Sequence, residues 1–115
     1  MVTQKGQVEY IFGVMGGHYQ AMGHAHFLSK VVDYGMDIQA ASDLPRLFPI
    51  PGQDSVECEH TMPADTQHKL EALGYDLIAP AQPAIGGAQA IRIDWDNGVL
   101  HGASDHRKDG CALGY

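Results

Sequence analysis

The feature that most constrains this chain is the stretch FGVMGGHYQAMGHAHFLSKVVDYG, residues 12 to 35, where an apolar strand-like run meets an amphipathic helix with only Gly16-Gly17 between them. From Tyr19 to Tyr34, Ala21, Ala25, Leu28 and Val32 recur at helical spacing, and His24, Phe27, Val31 and Tyr34 form a second row beside them, which predicts a helix with a wide buried face. Gly35 fits its C-terminal cap.

Upstream, residues 1 to 4 and 7 to 14 flank Lys5-Gly6, and QVEYIFGV is rich in β-branched and aromatic residues, so the chain is expected to open as a hairpin whose first strand looks truncated. Downstream, Asp37 reads as the N-cap of a short helix that Pro45 ends. FPIPGQDS reads as a loop leading to the alternating strand SVECEH. Pro63 and Asp65 open a third helix, with Leu70 and Leu73 expected inside and Gly74 as its stop, followed by a strand at YDLIA. The loop PAQPAIGG then leads to AQAIRIDW, and Asp96-Asn97-Gly98 before VLHGAS is the strongest hairpin signal in the chain. The tail DHRKDGCALGY is loop-like. Mixed elements with hairpins at both ends predict a largely antiparallel α+β layer structure.

At 115 residues the chain is expected to be a single domain, 1–115. Its 44% hydrophobic content is too high for a disordered tail, and no apolar run approaches the length of a membrane span. Lys and Arg number 7 against 14 Asp and Glu, a formal charge of −7 that disfavours nucleic acid and anionic lipid and leaves small molecules or proteins as partners. The first residues do not read as a secretory signal, but a signal could lie on an upstream piece, so the compartment stays open; a soluble protein, cytoplasmic or periplasmic, is expected. Cys58 and Cys111 allow one bridge without requiring it, and two free thiols are the plainer reading.

A strand that turns through two glycines into a helix presents free N–H groups at the positive end of the helix dipole, a place that can hold an oxyanion. Glycine suits such a place because a side chain would block an approaching carbonyl. Glycine pairs are also common plain turns, so on spacing alone both readings stand. His24 and His26 lie two apart, whereas chelation from one helix needs i and i+4, and neither cysteine has a zinc-ribbon partner; no metal and no cofactor are expected. His18 could touch a ligand or face solvent. Asp105, Arg107 and Asp109 could pair as ions, but alone read as a solvated loop. Ser29, Ser42, Ser55 and Ser104 lack any nucleophile-elbow setting, and none of Thr3, Thr61 and Thr66 would become N-terminal by loss of Met1.

Five stretches taken together, VMGG between strand and helix, VVDYGMDIQAASDLPRL, LEALGYDL, GGAQAIRID and the closing GASDHRKDGCALGY, are similar to the C-terminal part of the small subunit of the gamma-glutamyltranspeptidase family, which includes cephalosporin acylases. The resemblance runs in the family's order from about Gly6 to Tyr115, and FGVMGGHYQAMGH resembles a bacterial branch apart from the transpeptidases that carry serine and proline before the glycines. It implies an N-terminal-nucleophile hydrolase fold, an αββα sandwich of largely antiparallel sheets with helices outside. It also implies a self-cleaving precursor whose new N-terminal threonine attacks a gamma-glutamyl or related acyl amide, of the glutathione type, and passes the acyl group to water or an amino acid. Carried over, Gly16 and Gly17 supply the two oxyanion N–H groups, with Met15 and His18 as substrate contacts.

The resemblance places the nucleophilic threonine, most residues that grip the glutamyl group, and the large subunit outside these 115 residues. The chain alone is therefore expected to be inactive and to associate, first as a homo-oligomer. Val14 and Met15, where transpeptidases carry serine and proline, point to an altered acyl pocket. Asp43-Leu44-Pro45-Arg46, Asp105 and Arg107 are assigned to structure. The rival expectation is a non-catalytic remnant of the family that self-associates or binds a partner.

Overall fold

Lys5 and Gly6 take φ of 50° and 82° and fold β1 (Val2–Gln4) back on β2 (Gln7–Met15), the opening hairpin expected. The chain is described here from a computed structural model covering residues 1–82 and 84–114. Pro83 of the expected loop and the closing Tyr115 lie outside the described residues. The second hairpin joins β6 (Gly87–Asp94) to β7 (Val99–Ser104); Gly98 adopts φ 65°, and the Asp94 carboxylate accepts from the Asn97 N–H at 3.0 Å and from its side-chain amide at 2.9 Å. The two hairpins meet side by side as an antiparallel sheet of order β1-β2-β6-β7.

Two helices supply the apolar cover. α1 (Gln20–Val32) follows a single 3-10 turn at Gly17–Tyr19, and Gly35 at φ 63° closes off the chain beyond it. Asp37 caps α2 (Ile38–Asp43) as expected, accepting from the Gln39 and Ala40 N–H groups at 2.9 and 3.1 Å. Phe27, Val31, Ile38 and Ala41 from the helices bury against Ala90 and Ala103 of the sheet, with Tyr10, Phe12 and Met36 around them. Small residues on β6 and β7 let the helices sit close, and burying a side chain such as Phe27 contributes about 2 kcal/mol.

The face of α1 is narrower than its periodicity predicts. Only Gly23, Phe27 and Val31 are fully buried, whereas Ala21, Ala25, Val32 and Tyr34 are exposed. Glycine at 23 lets the helix approach β2 along this one row, so the neighbouring row of alanines stays in solvent. The long strand-to-helix stretch and the two terminal hairpins belong to one compact unit, Met1–Leu44 with Gly86–Tyr115, while Pro45–Ile85 forms a second.

In the second unit β3 (Leu47–Pro49), β4 (Ser55–Cys58) and β5 (Asp76–Ile78) form a sheet of order β3-β4-β5, antiparallel then parallel, with α3 (Ala64–Ala72) between the last two strands in the chain. The expected loop FPIPGQDS is in part strand: Phe48 and Pro49 end β3, where an edge position tolerates proline. Leu73 is 76% exposed rather than inside, because α3 ends before it and buries no residue completely. Buried Arg46 donates to the Ile85 carbonyl at 2.8 Å, and the buried Glu59 carboxylate accepts from the Arg46 N–H at 2.9 Å. Cys58 is buried and Cys111 exposed, and both are free thiols. No helix among the described residues is long and apolar enough to cross a membrane.

Candidate functional site

β2 ends at Met15, and the backbone then enters a conformation that only glycine takes without strain: φ 141°, ψ 27° at Gly16 and φ 57° at Gly17. The carbonyls of both residues are spent on starting the helix, Gly16 O accepting from Tyr19 N at 3.1 Å and Gly17 O from Gln20 N. Their N–H groups precede the first closed turn. The N-cap position offers no side-chain acceptor, so among the described residues neither donor has a turn, cap or side-chain partner at the positive end of the helix.

The two glycines differ in why they are glycine. A Cβ on Gly16 would stand 2.9 Å from the Gly86 Cα, so the backbone of the turn lies directly against the residue that precedes β6. A Cβ on Gly86 would in turn stand 2.5 Å from the Met15 carbonyl oxygen and 2.7 Å from the Tyr19 ring. Tyr19, only 3% exposed, fills the space under the turn and also meets Gly23, whose added Cβ would lie 2.7 Å from that ring. Gly17 has no atom within 4 Å of such a Cβ. Gly16 is thus required by packing, and Gly17 opens on free space.

Met15, Gly16, Gly17 and His18 are consecutive and all exposed, Met15 at 58%, so the structure brings the expected site residues together on one solvent-facing corner. Sequence reasoning missed Tyr19, Gly23 and Gly86 as its supports. Gly86 stood in the quoted stretch GGAQAIRID, but its contact with Gly16 spans 70 positions and has no local signal.

The far side of the same sheet end is closed by the tail. Asp105 is fully buried, its carboxylate accepting from Ala88 N at 2.7 Å and from Arg107 N and Nη1 at 3.0 and 3.1 Å. Arg107 also donates to the Ser42 and Leu44 carbonyls, each at 3.0 Å, which end α2. Asp105 and Arg107 are therefore a buried ion pair, in keeping with the structural assignment that the resemblance gives them and not the solvated loop that their local sequence suggests; Asp109 is exposed. Gln39 pairs with the backbone of Ser104 through both its amide atoms, at 3.0 Å each, as a strand would. Among the described residues no three His, Cys, Asp or Glu side chains gather as a metal site.

A family model described as gamma-glutamyltranspeptidase matches residues 1–115. The chain is 30% identical over 99% of its length to a glutathione hydrolase-like YwrD proenzyme of Bacillus subtilis, covering 23% of that protein. It is 33% identical over 91% of its length to an oxamate amidohydrolase proenzyme of Klebsiella pneumoniae, covering 21% of it. Among solved structures, a cephalosporin acylase from Bacillus halodurans matches at TM-score 0.87 and 34% identity, over 98% of this chain and 22% of that one. A gamma-glutamyltranspeptidase from Pseudomonas nitroreducens complexed with L-DON has the same fold at TM-score 0.89 and 24% identity, over all of this chain and 60% of that one. The chain spans about a quarter or less of the curated relatives. The expected α+β fold of largely antiparallel sheets and helices is the fold these neighbours share.

Proposed function

The chain belongs to the gamma-glutamyltranspeptidase family, and from that premise we propose that it is the C-terminal part of the small subunit of an N-terminal-nucleophile acyltransferase or amidohydrolase, in which Gly16 and Gly17 form the oxyanion hole. The observation that carries this reading is the pair of backbone N–H groups left without a partner among the described residues at the start of the helix, on an exposed corner held from below by Tyr19 and Gly86. Fixed donors of this kind act where charge develops, on the oxygen of a tetrahedral intermediate.

The nucleophile is a threonine outside these residues. Its Oγ, giving its proton to the threonine's own α-amine, attacks the amide carbonyl carbon, and the carbonyl π pair moves to oxygen, which accepts hydrogen bonds from the Gly16 and Gly17 N–H groups. Collapse re-forms the carbonyl and breaks the C–N bond, the α-ammonium returns the proton to the departing amine, and the acyl ester left behind is resolved by water or an amino acid. The names of the relatives, a glutathione hydrolase-like protein and an oxamate amidohydrolase, support attack on a carbonyl with a variable acyl group. Met15 and His18, exposed beside the pair, are the residues of this chain that we assign to contact with that acyl group, and their exposure next to Gly16 and Gly17 supports the assignment.

The gene product that carries this chain is expected to release the amine from a gamma-glutamyl anilide, while the 115 residues alone release none. Equal turnover by the highly purified 115-residue chain, lost on mutation within it, would overturn the assignment of the nucleophile. The second reading, a self-associating remnant, draws on the exposed Ile11, Ile91 and Leu100 on the sheet face away from the helices. It predicts no turnover from the gene product either.

A further inference from the structure

His24 carries two hydrogen bonds whose partners leave no choice of proton position. Its Nδ1 lies 2.7 Å from the Gln20 carbonyl, which can only accept, and its Nε2 lies 3.3 Å from the Val14 N–H, which can only donate. The ring is therefore the neutral tautomer with the proton on Nδ1. It sits beside the Phe12 ring, with centroids 5.7 Å apart.

The place of the Val14 bond in the sheet gives it a consequence. Val14 faces Ala88, and both polar backbone groups of Ala88 turn to Asp105: its N–H to the carboxylate and its carbonyl to the Asp105 N–H at 3.1 Å. The Val14–Ala88 pair is thus a non-hydrogen-bonded one, and the Val14 N–H points to the other edge of β2. There β1 pairs with β2 only as far as Tyr10 among the described residues, and it is His24, from α1, that accepts from the Val14 N–H. One side chain thereby ties the end of β2 to the first turns of α1 across the loop that contains Gly16 and Gly17.

We propose that His24 is the positioning residue of the oxyanion turn, fixing both of its ends through an Nδ1-protonated imidazole. The inference rests on the oxyanion reading above. A group that only clamps the turn changes where the donors point, and an error of about 1 Å in such a place is enough to slow chemistry up to about 10²-fold. Binding of the ground-state amide depends much less on those donors.

The test uses the gene product carrying this chain, with a gamma-glutamyl anilide as probe and ¹⁵N NMR of the histidine ring as a readout independent of activity. Expected are the Nδ1-protonated tautomer, a fall of about tenfold in kcat for His24→Phe with KM within about twofold, and recovery of most of kcat in His24→Gln, whose amide can both accept and donate. An Nε2-protonated ring overturns the proposal. So does wild-type kcat in His24→Phe when Gly17→Ala is impaired, an outcome that leaves the oxyanion reading intact. Wild-type kcat in both variants, or no turnover by the unaltered protein, removes that reading and this inference with it. If His24→Phe fails to fold, the tautomer and His24→Gln decide: a folded His24→Gln with lost kcat contradicts the proposal.

Discussion

At the scale of single residues, Asp105 and Arg107 show how far local sequence reaches. Their spacing suggests an ion pair, but not its burial, because the carbonyls that accept from Arg107 belong to Ser42 and Leu44, more than 60 positions away. With the pair 0% and 6% exposed, Arg107→Met leaves a buried carboxylate without its cation. We expect a loss of about 3 to 5 kcal/mol, read from urea unfolding. His26 offers a pH-dependent case. Burial, and then the neighbouring Lys30 charge, hold its imidazole below the ordinary value of 6.5. The folded state therefore binds fewer protons than the unfolded one, so this residue's contribution is fully present above about 6.5 and is lost as pH falls below it toward the lowered value. His26→Gln should flatten the decline of melting temperature on that side of pH 6.5; an unchanged slope would contradict this account.

At the scale of elements, punctuation was legible and packing was not. Lys5-Gly6, Asp37, Gly35 and Asp96-Asn97-Gly98 act through their own backbone or their nearest neighbours, and each does what its residue type dictates. The buried row of α1 depends instead on where β2 lies, and two adjacent rows read locally as one wide buried face of which only Gly23, Phe27 and Val31 are buried. Gly23 sets that row, because an added Cβ would meet the Val14 side chain at 2.6 Å and the Tyr19 ring at 2.7 Å. Gly23→Ala should gain about 1 kcal/mol of helix propensity. Overpacking should cost about 1 to 3 kcal/mol, so the expected net effect is a lower melting temperature. Leu73→Ala, outside any core, should change stability by less than about 0.5 kcal/mol.

At the scale of the whole molecule, helices cover one face of the β1-β2-β6-β7 sheet. The other face shows Ile11 at 43%, Ile91 at 39% and Leu100 at 67% exposure. Apolar faces of this kind call for a cover, which in the proposed enzyme comes from the rest of the protein. The 115 residues alone should then self-associate; sedimentation as a monomer at all concentrations would count against this. The fold and the glycine corner were legible because five motifs in fixed order identify the family and because strand, glycine pair and helix are contiguous. The supports of that corner were not, since Gly86, Tyr19 and His24 act through contacts that only the folded chain creates.

The most direct test of the central claim is steady-state kinetics beside a thermal melt on Gly17→Ala in the gene product. Gly17 has φ 57° and open space around it, so alanine there should cost about 1 to 2 kcal/mol and leave the fold intact. Alanine keeps its N–H, but its methyl projects into the open space beside the donors and holds a developing oxyanion away from them; kcat on a gamma-glutamyl anilide is therefore expected to fall by a factor on the order of 10², the size of a lost oxyanion contact, with a smaller change in KM. The same modest loss of stability with an unchanged kcat in the folded fraction would contradict it and leave Gly16-Gly17 as a turn.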